Sequence, residues 1–447
     1  MSGRTQELSP GNPPPPKRLA RQMALSALAN LAPPAAGFAV APILAQALGA
    51  EQRGVVAAAT APLLLMTTLA MFGIPEAVTY LVAKDPGNAR NALRKGLLLL
   101  TGTGVLATLL VVISASALSG GNAAAEELIK LAALFVLPTT LVAGWRSLPR
   151  GLHQWRFVNL EKYVTSAFRL TAITAAFLLA SLSPIMAVLI LSTAPVVAGF
   201  VFLKPLRELR REELGKNRVS YKDLTSFSLV VWLGSVSGIV LGKIDQAIMM
   251  PLSDARQLGY YAAAASVADA VLVINNAVRD ITFSAQSSGS GPDILQRSAR
   301  ISFVVGLCIA ALLLVPVAFW FPLLFSADFV EAIPAVAILT LAAVVGIPGS
   351  VAGAGLVGRG HPGAVSMSLV IAAVVNIATV VVLVPLYGAT GAAIATLVGN
   401  ILASNINILV LRRRYGMAFF GFYRIQFADV KSVFRLARGL HRPSGIT

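Results

Sequence analysis

Residues 48–59 read Leu-Gly-Ala-Glu-Gln-Arg-Gly-Val-Val-Ala-Ala-Ala, and residues 252–264 read Leu-Ser-Asp-Ala-Arg-Gln-Leu-Gly-Tyr-Tyr-Ala-Ala-Ala. In both, a leucine opens a short polar turn holding an acid and an arginine, a glycine closes it, and an alanine-rich run follows. A second pair keeps nearly the same displacement: Pro138 leads to Arg150-Gly151-Leu152-His153, and Pro348 leads to Arg359-Gly360-His361. The chain therefore contains itself twice. An even number of apolar runs separates the copies, so both halves enter a membrane in the same sense, related by an axis along its normal. Repeats of this kind place a polar site between two similar bundles, where rocking one against the other opens the site to either side.

The composition requires a membrane. Of 447 residues, 56% are hydrophobic and 12% charged, against roughly 45–50% and about 25% in an average soluble domain. Apolar runs begin near Leu19, Gly54, Gly96, Leu128, Phe157, Pro184, Leu224, Leu258, Ile301, Ile333, Val365 and Gly388. Each is comparable to the roughly 20 residues of a spanning helix and stays apolar well past the roughly ten alternating residues of a membrane strand. The expected fold is an all-α polytopic membrane protein, with about twelve transmembrane helices in two pseudo-symmetric six-helix bundles around a central cavity. The expected divisions are a disordered tail over 1–20, a first bundle over 21–203, a basic linker over 204–223, a second bundle over 224–411 and a basic tail over 412–447. The run from Leu19 to Leu48 exceeds a signal-peptide core of about 7–15 residues, so it is read as retained.

The net charge of +17 has a topological source. Alternate loops, counted from the N-terminus, hold 31 of the 36 Lys and Arg residues; the opposite loops hold only Arg53, Lys130 and Arg256, while Arg169 and Lys243 lie within helices. This asymmetry places both termini in the cytoplasm and accounts for the charge with no nucleic-acid partner.

Charges at membrane depth cost about 2.5–3.5 kcal/mol each on insertion scales, so they pair or face water. Glu76 follows Pro75 near the inner end of the second helix, and its repeat counterpart is Asp280, beside Arg279, near the inner end of the eighth. Arg169 sits at similar depth in the fifth helix, where snorkelling to the interface is its alternative role. Lys243 and Asp245 lie in the outer part of the seventh helix and Asp269 near the middle of the eighth. A short turn joins those helices, so Lys243 and Asp269 are expected within interaction distance, as cavity residues or as a structural clamp. Asp269, Asn276 and Asp280 fall at i, i+7 and i+11, one narrow face that is expected to line the cavity. Thr396, Asn400, Ser404 and Asn407 share a face of the twelfth helix, where interhelical hydrogen bonding is the commoner role.

Other signals point away from chemistry. Gly353-Ala-Gly355-Leu-Val-Gly358 matches a dinucleotide fingerprint as a string, but it ends an apolar helix with no strand before it. His153, His361 and His441 are scattered and give neither metal spacing nor a catalytic base. Cys308, the only cysteine, forms no internal disulfide and is expected to pack within its helix. No cofactor, no metal and no enzymatic role is expected, because the loops are too short for a catalytic domain.

Leu48-Gly-x-Glu-x-x-Gly54 with Gly73-Ile74, Asp245 followed by Leu258-Gly-Tyr-Tyr261, Phe325-Ser-Ala-Asp-Phe329, and Leu386-Tyr-Gly388-Ala-Thr-Gly391-Ala-Ala-Ile-Ala-Thr396 together resemble the polysaccharide transporter branch of the multidrug/oligosaccharidyl-lipid/polysaccharide exporter superfamily. That group contains the Wzx-type O-antigen flippases. The resemblance runs from about Arg21 to Arg414. It implies a lipid-linked oligosaccharide, generally on undecaprenyl pyrophosphate, moved from the inner to the outer leaflet of a bacterial cytoplasmic membrane. It also implies polysaccharide polymerase or assembly proteins as partners. It would assign pyrophosphate and sugar contacts to Arg169, Lys243 and Arg279, with Glu76, Asp245 and Asp269 as acidic partners. An ion-coupled multidrug extruder driven through Asp269 or Glu76 is the alternative within transport, and a membrane-embedded component of a polysaccharide synthesis complex is the alternative outside it.

Overall fold

The computed structural model describes residues 16–211, 220–287, 292–424 and 426; the side chains of 16–24, 27, 210–211, 222–223, 225–231, 233–235, 273–287 and 292 fall outside that description. Among the described residues the chain is helical and forms no strand. Pro16–Met71 is one helical run broken at Gly49, where φ 69° and ψ 178° leave the helical region; this gives α1 (16–48) and α2 (50–71). After a left-handed turn through Phe72 and Gly73, the short helix Ile74–Lys84 carries α2 onward. There follow α3 (Ala89–Leu118), α4 (Ala123–Ala133, resumed as Val136–Gly151), α5 (Trp155–Leu178) and α6 (Pro184–Gly199). The second half holds α7 (Tyr221–Leu252), α8 (Ala255–Ser287), α9 (Pro292–Leu314) and α10 (Ile333–Gly358). Pro362–Tyr415 breaks at Gly388 (φ 53°, ψ −128°) into α11 (362–387) and α12 (389–415).

These are the twelve helices that the apolar runs predict. Among the described residues, seven helical stretches are long and apolar enough to cross a membrane on composition alone, and two of them, Leu28–Met71 and Pro362–Tyr415, each hold two helices joined at a glycine break. The three helices left out are α5, α7 and α8. These carry Arg169, Lys243 with Asp245, and Asp269, so three helices hold the interior charges. Outward-facing residues such as Ile113 (78% exposed) and Val315 (85% exposed) form an apolar belt of the kind lipid covers.

Three local expectations differ from the structure. Helix α1 already begins at Pro16, inside the stretch read as a tail. The stretch read as a linker is helical over Leu203–Arg211 and again from Tyr221, because Leu203, Leu206 and Leu209 recur at the helical period and give a short amphipathic helix an apolar side. Cys308 is exposed rather than packed; α9 turns this face outward, and a small soft side chain is as compatible with lipid as with a core.

The two ends of the molecule differ in how the halves meet. At the end away from the basic loops, a single apolar core spans both: Leu44, Val55 and Ile129 pack in one cluster with Leu258, Tyr260, Phe325 and Phe329. At the basic end the halves keep separate cores, one around Ile74, Leu93 and Leu148 and one around Leu295, Leu356 and Phe422. Helix α7 bridges them, since Leu224 joins the first-half core and Trp232 stacks on Phe72 at 4.3 Å while donating to the Leu69 carbonyl at 3.1 Å.

The shared core is sealed by the repeated glycines. A Cβ on Gly54 would stand 1.6 Å from the Ala255 carbonyl oxygen, and one on Gly259 would stand 1.9 Å from that of Ala50. Helices α2 and α8 therefore cross backbone to backbone at equivalent positions of the two copies, which is why both copies place glycine there. Beside the crossing, Asp328 accepts the Ala50 amide at 2.9 Å and the Arg256 guanidinium at 2.8 Å, capping α2 with a side chain from the other half. Asp328→Ala removes a helix cap worth about 0.5–2 kcal/mol and an exposed ion pair worth about 0–1 kcal/mol. The expected result is faster maleimide labelling of Ser253→Cys, in a Cys308→Ser background, from the side opposite the basic end. Unchanged labelling would mean that the cap does not hold this end shut.

Candidate functional site

Below the crossing, a cleft of about 520 Å³ lies between the halves. Helix α2 lines it with Arg53, Val56, Ala57 and Thr60, and α8 lines it with Ala262, Ala265, Ser266 and Asp269. Each set follows the spacing i, i+3, i+4, i+7, one face of a helix, and each begins within one turn of its crossing glycine. Helix α7 adds Lys243 and Gln246. Lys243 Nζ stands 3.8 Å from Asp269 Oδ2, and the Asp269 side chain is 52% exposed, although it lies near the middle of α8, about 21 Å from Ala255 at about 1.5 Å per residue. Asp269 thus presents its charge to the open space of the cleft, at a depth where charges pair or face a water-filled cavity.

Arg53 is the residue that sequence reading misplaced. Its place just before an apolar run puts it in an outer loop, but it is 6% exposed, and its Nη2 donates to the Ala262 carbonyl at 3.4 Å and to Ser266 Oγ at 3.3 Å. Its Nε has no hydrogen-bond partner among the described residues. The available signal was the repeat itself: a residue next to a glycine that permits backbone contact between halves belongs to the interface, not to a loop. With Arg53, Lys243 and Asp269 the cleft carries two cations and one anion. Such a site favours an anionic ligand through charge-assisted hydrogen bonds.

The other predicted residues are dispersed. Asp245 is fully buried on the side of α7 away from Lys243, where its carboxylate accepts the Tyr261 hydroxyl, the Thr396 hydroxyl at 2.9 Å and the Gln246 amide at 2.7 Å. It ties α7 to α8 and α12 and does not line the cleft. Asp245→Ala would remove the charged acceptor that the Tyr261 and Thr396 hydroxyls share, leaving them each other and the Ala392 carbonyl, at about 1.5–3 kcal/mol per hydrogen bond lost to a charged group. We expect it to melt well below wild type in detergent, while Asp245→Asn, which keeps an acceptor oxygen, recovers most of the loss. Equal melting of the alanine variant and wild type would contradict the network.

Glu76 lies in the first turn of Ile74–Lys84, 3.6 Å from Arg150, outside the cleft. Arg169 is not among the cleft residues; its Nε is buried with no hydrogen-bond partner among the described residues. Asn276, Arg279 and Asp280 lie on α8, but their side chains fall outside the described residues. Sequence reading did not single out Arg146 and Glu161, which form an ion pair at 2.8 Å with the carboxylate almost fully buried. On α12, Asn400, Ser404 and Asn407 donate to the Ala342, Val345 and Gly349 carbonyls of α10 at 3.2, 3.4 and 3.1 Å, which is the interhelical role.

Comparison with known proteins agrees with this architecture. The structure is similar to the lipid II flippase MurJ in an inward closed conformation, with TM-score 0.72, 11% identity, and 95% of this chain covering 94% of that one. It is also similar to a multidrug resistance MATE family transporter of the MOP superfamily, both inward-facing (TM-score 0.68, 17% identity, 86% of this chain and 94% of that one) and outward-facing (TM-score 0.62, 15% identity, 88% and 95%). At these identities the likeness establishes the fold. No curated protein matches the chain. The family model described as polysaccharide biosynthesis protein matches residues 19–279, more than half of the chain and across the junction of its two halves. The chain is thus an integral membrane protein with the MATE/MurJ fold, and it belongs to the polysaccharide biosynthesis protein family.

Proposed function

We propose that this protein flips a lipid-linked oligosaccharide, carried on undecaprenyl pyrophosphate, from the inner to the outer leaflet of a bacterial cytoplasmic membrane by alternating access. The observation that carries the proposal is the open, net-cationic cleft of Arg53, Lys243 and Asp269 between two halves that are closed together at one end. A sugar chain with two phosphates does not cross about 30 Å of hydrocarbon unaided. A cleft of this kind holds the head group while the lipid tail stays in the bilayer.

In this reading Arg53 and Lys243 donate to the pyrophosphate, and Thr60, Gln246 and Ser266 offer neutral hydrogen bonds to sugar hydroxyls. Arg169 and Arg279 would meet the substrate nearer the basic end. With the basic loops and both termini in the cytoplasm, the cleft loads from the cytoplasmic side. Separation of α2 from α8 at Gly54 and Gly259 then opens it to the other leaflet. No bond is made or broken in the cargo. Polysaccharide polymerase or assembly proteins would act on what is delivered.

Depletion of the protein in its host tests this. Undecaprenyl-linked oligosaccharide should accumulate, sheltered from reagents that reach only the outer leaflet. Absence of accumulation, together with raised sensitivity to cationic drugs, would overturn the flippase reading in favour of an extruder.

A further inference from the structure

We propose that a groove on the outer wall of the first half, at the basic end, binds one anionic phospholipid. The groove, of about 1170 Å³, lies between α3, the end of α4 and the amphipathic helix Leu203–Arg211. Its floor is apolar, formed by Leu97, Trp145 and Leu206, and its rim carries Arg90, Arg94 and Arg207. All three arginines are exposed, and none forms an ion pair among the described residues. Glu208, the acid adjacent to Arg207 in sequence, makes none with them either. Three neighbouring guanidinium groups thus share a groove with no ion-pair partner among the described residues.

The apolar surface continues from the arginines in the direction that an acyl chain would take. Arg90, Arg94, Leu98, Val105 and Leu109 stand at i, i+4, i+8, i+15 and i+19 on α3, one face at the helical period, and Leu98, Val105 and Leu109 are 59%, 42% and 53% exposed. The chain leaving α6 repeats the order, with exposed Phe200 followed by Lys204 and Arg207. Both walls therefore run from hydrocarbon-facing to basic in the same sense. Charge complementarity selects the occupant: a phosphodiester that bears acyl chains places its anion among the arginines and a chain along α3. Basic pockets between helices at the edge of a bilayer recognise lipid head groups in this way. The groove shares no residue with the cleft, so this inference stands independently of the transport reading.

Native mass spectrometry of the full chain in detergent tests it, with phosphatidylglycerol and phosphatidylcholine as probes. Wild type should retain one phosphatidylglycerol at least ten-fold more tightly than phosphatidylcholine. At about five-fold per arginine near a membrane surface, Arg90→Ala/Arg94→Ala/Arg207→Ala should weaken that binding by about a hundred-fold. Arg412→Ala/Arg413→Ala/Arg414→Ala, which removes the same charge elsewhere, should leave it unchanged. If the first triple variant does not fold, Arg94→Gln alone should show about a five-fold loss. Three results would each overturn the proposal: equal retention of the two lipids, equal loss in both triple variants, or displacement of the lipid by soluble glycerol phosphate at matching concentration.

Discussion

Gly54→Ala and Gly259→Ala should each abolish transport while leaving the protein folded and inserted. The added methyl would meet backbone, at 1.6 Å from the Ala255 oxygen in one case and 1.9 Å from the Ala50 oxygen in the other, and backbone cannot rotate aside as a side chain does. Overpacking a well-packed contact costs about 1–3 kcal/mol or more, and each 1.4 kcal/mol is about ten-fold in a population. The cost falls on the arrangement in which α2 and α8 cross, because separated helices leave room for the methyl. The variants should therefore rest with the opposite end open, label rapidly at Ser253→Cys, and fail to return. Gly102→Ala is the control, since no neighbouring atom lies within 4 Å of the added Cβ and alanine is the better helix former. Normal transport in both crossing variants would mean that this contact is not the seal of the cycle.

The same two glycines show how far sequence carried and where it stopped. The repeat made the two halves legible, since a period-long run of apolar residues has few ways to be satisfied in lipid and a doubled turn must be used twice. Lys243 and Asp269 were also legible, because a short turn between α7 and α8 fixes their relative depth. Arg53 and Asp245 were not, for one reason: depth along a helix follows from counting, whereas the direction a side chain takes depends on how neighbouring helices rotate against each other. Asp245 lies two residues from Lys243, about 200° around the helix at about 100° per residue, so adjacency in sequence put it on another face. Arg53 lies at the end of an apolar run, where counting assigns it to a loop. Only the close approach of α2 to α8 turns it inward.

Lys243→Ala should lower transport by about ten- to a hundred-fold, the loss expected from one charge-assisted hydrogen bond worth about 1.5–3 kcal/mol, with little change in melting temperature. The small stability effect follows from the geometry of the pair. At 3.8 Å, with the Asp269 side chain 52% exposed, the Lys243–Asp269 contact is worth no more than about 1 kcal/mol, too little to clamp two helices. The charge reversal Lys243→Asp with Asp269→Lys separates the two roles, because it keeps an ion pair between α7 and α8 but moves the cation to the other helix. A clamp would be restored by the reversal, and transport with it. A phosphate contact would not, since the ammonium must reach the same ligand atom as Arg53 does. Lys243→Arg, which keeps the cation on α7, should keep most of the activity. Recovery of transport in the reversed variant would remove Lys243 from the binding site and leave Arg53 as the cleft's cation for the cargo.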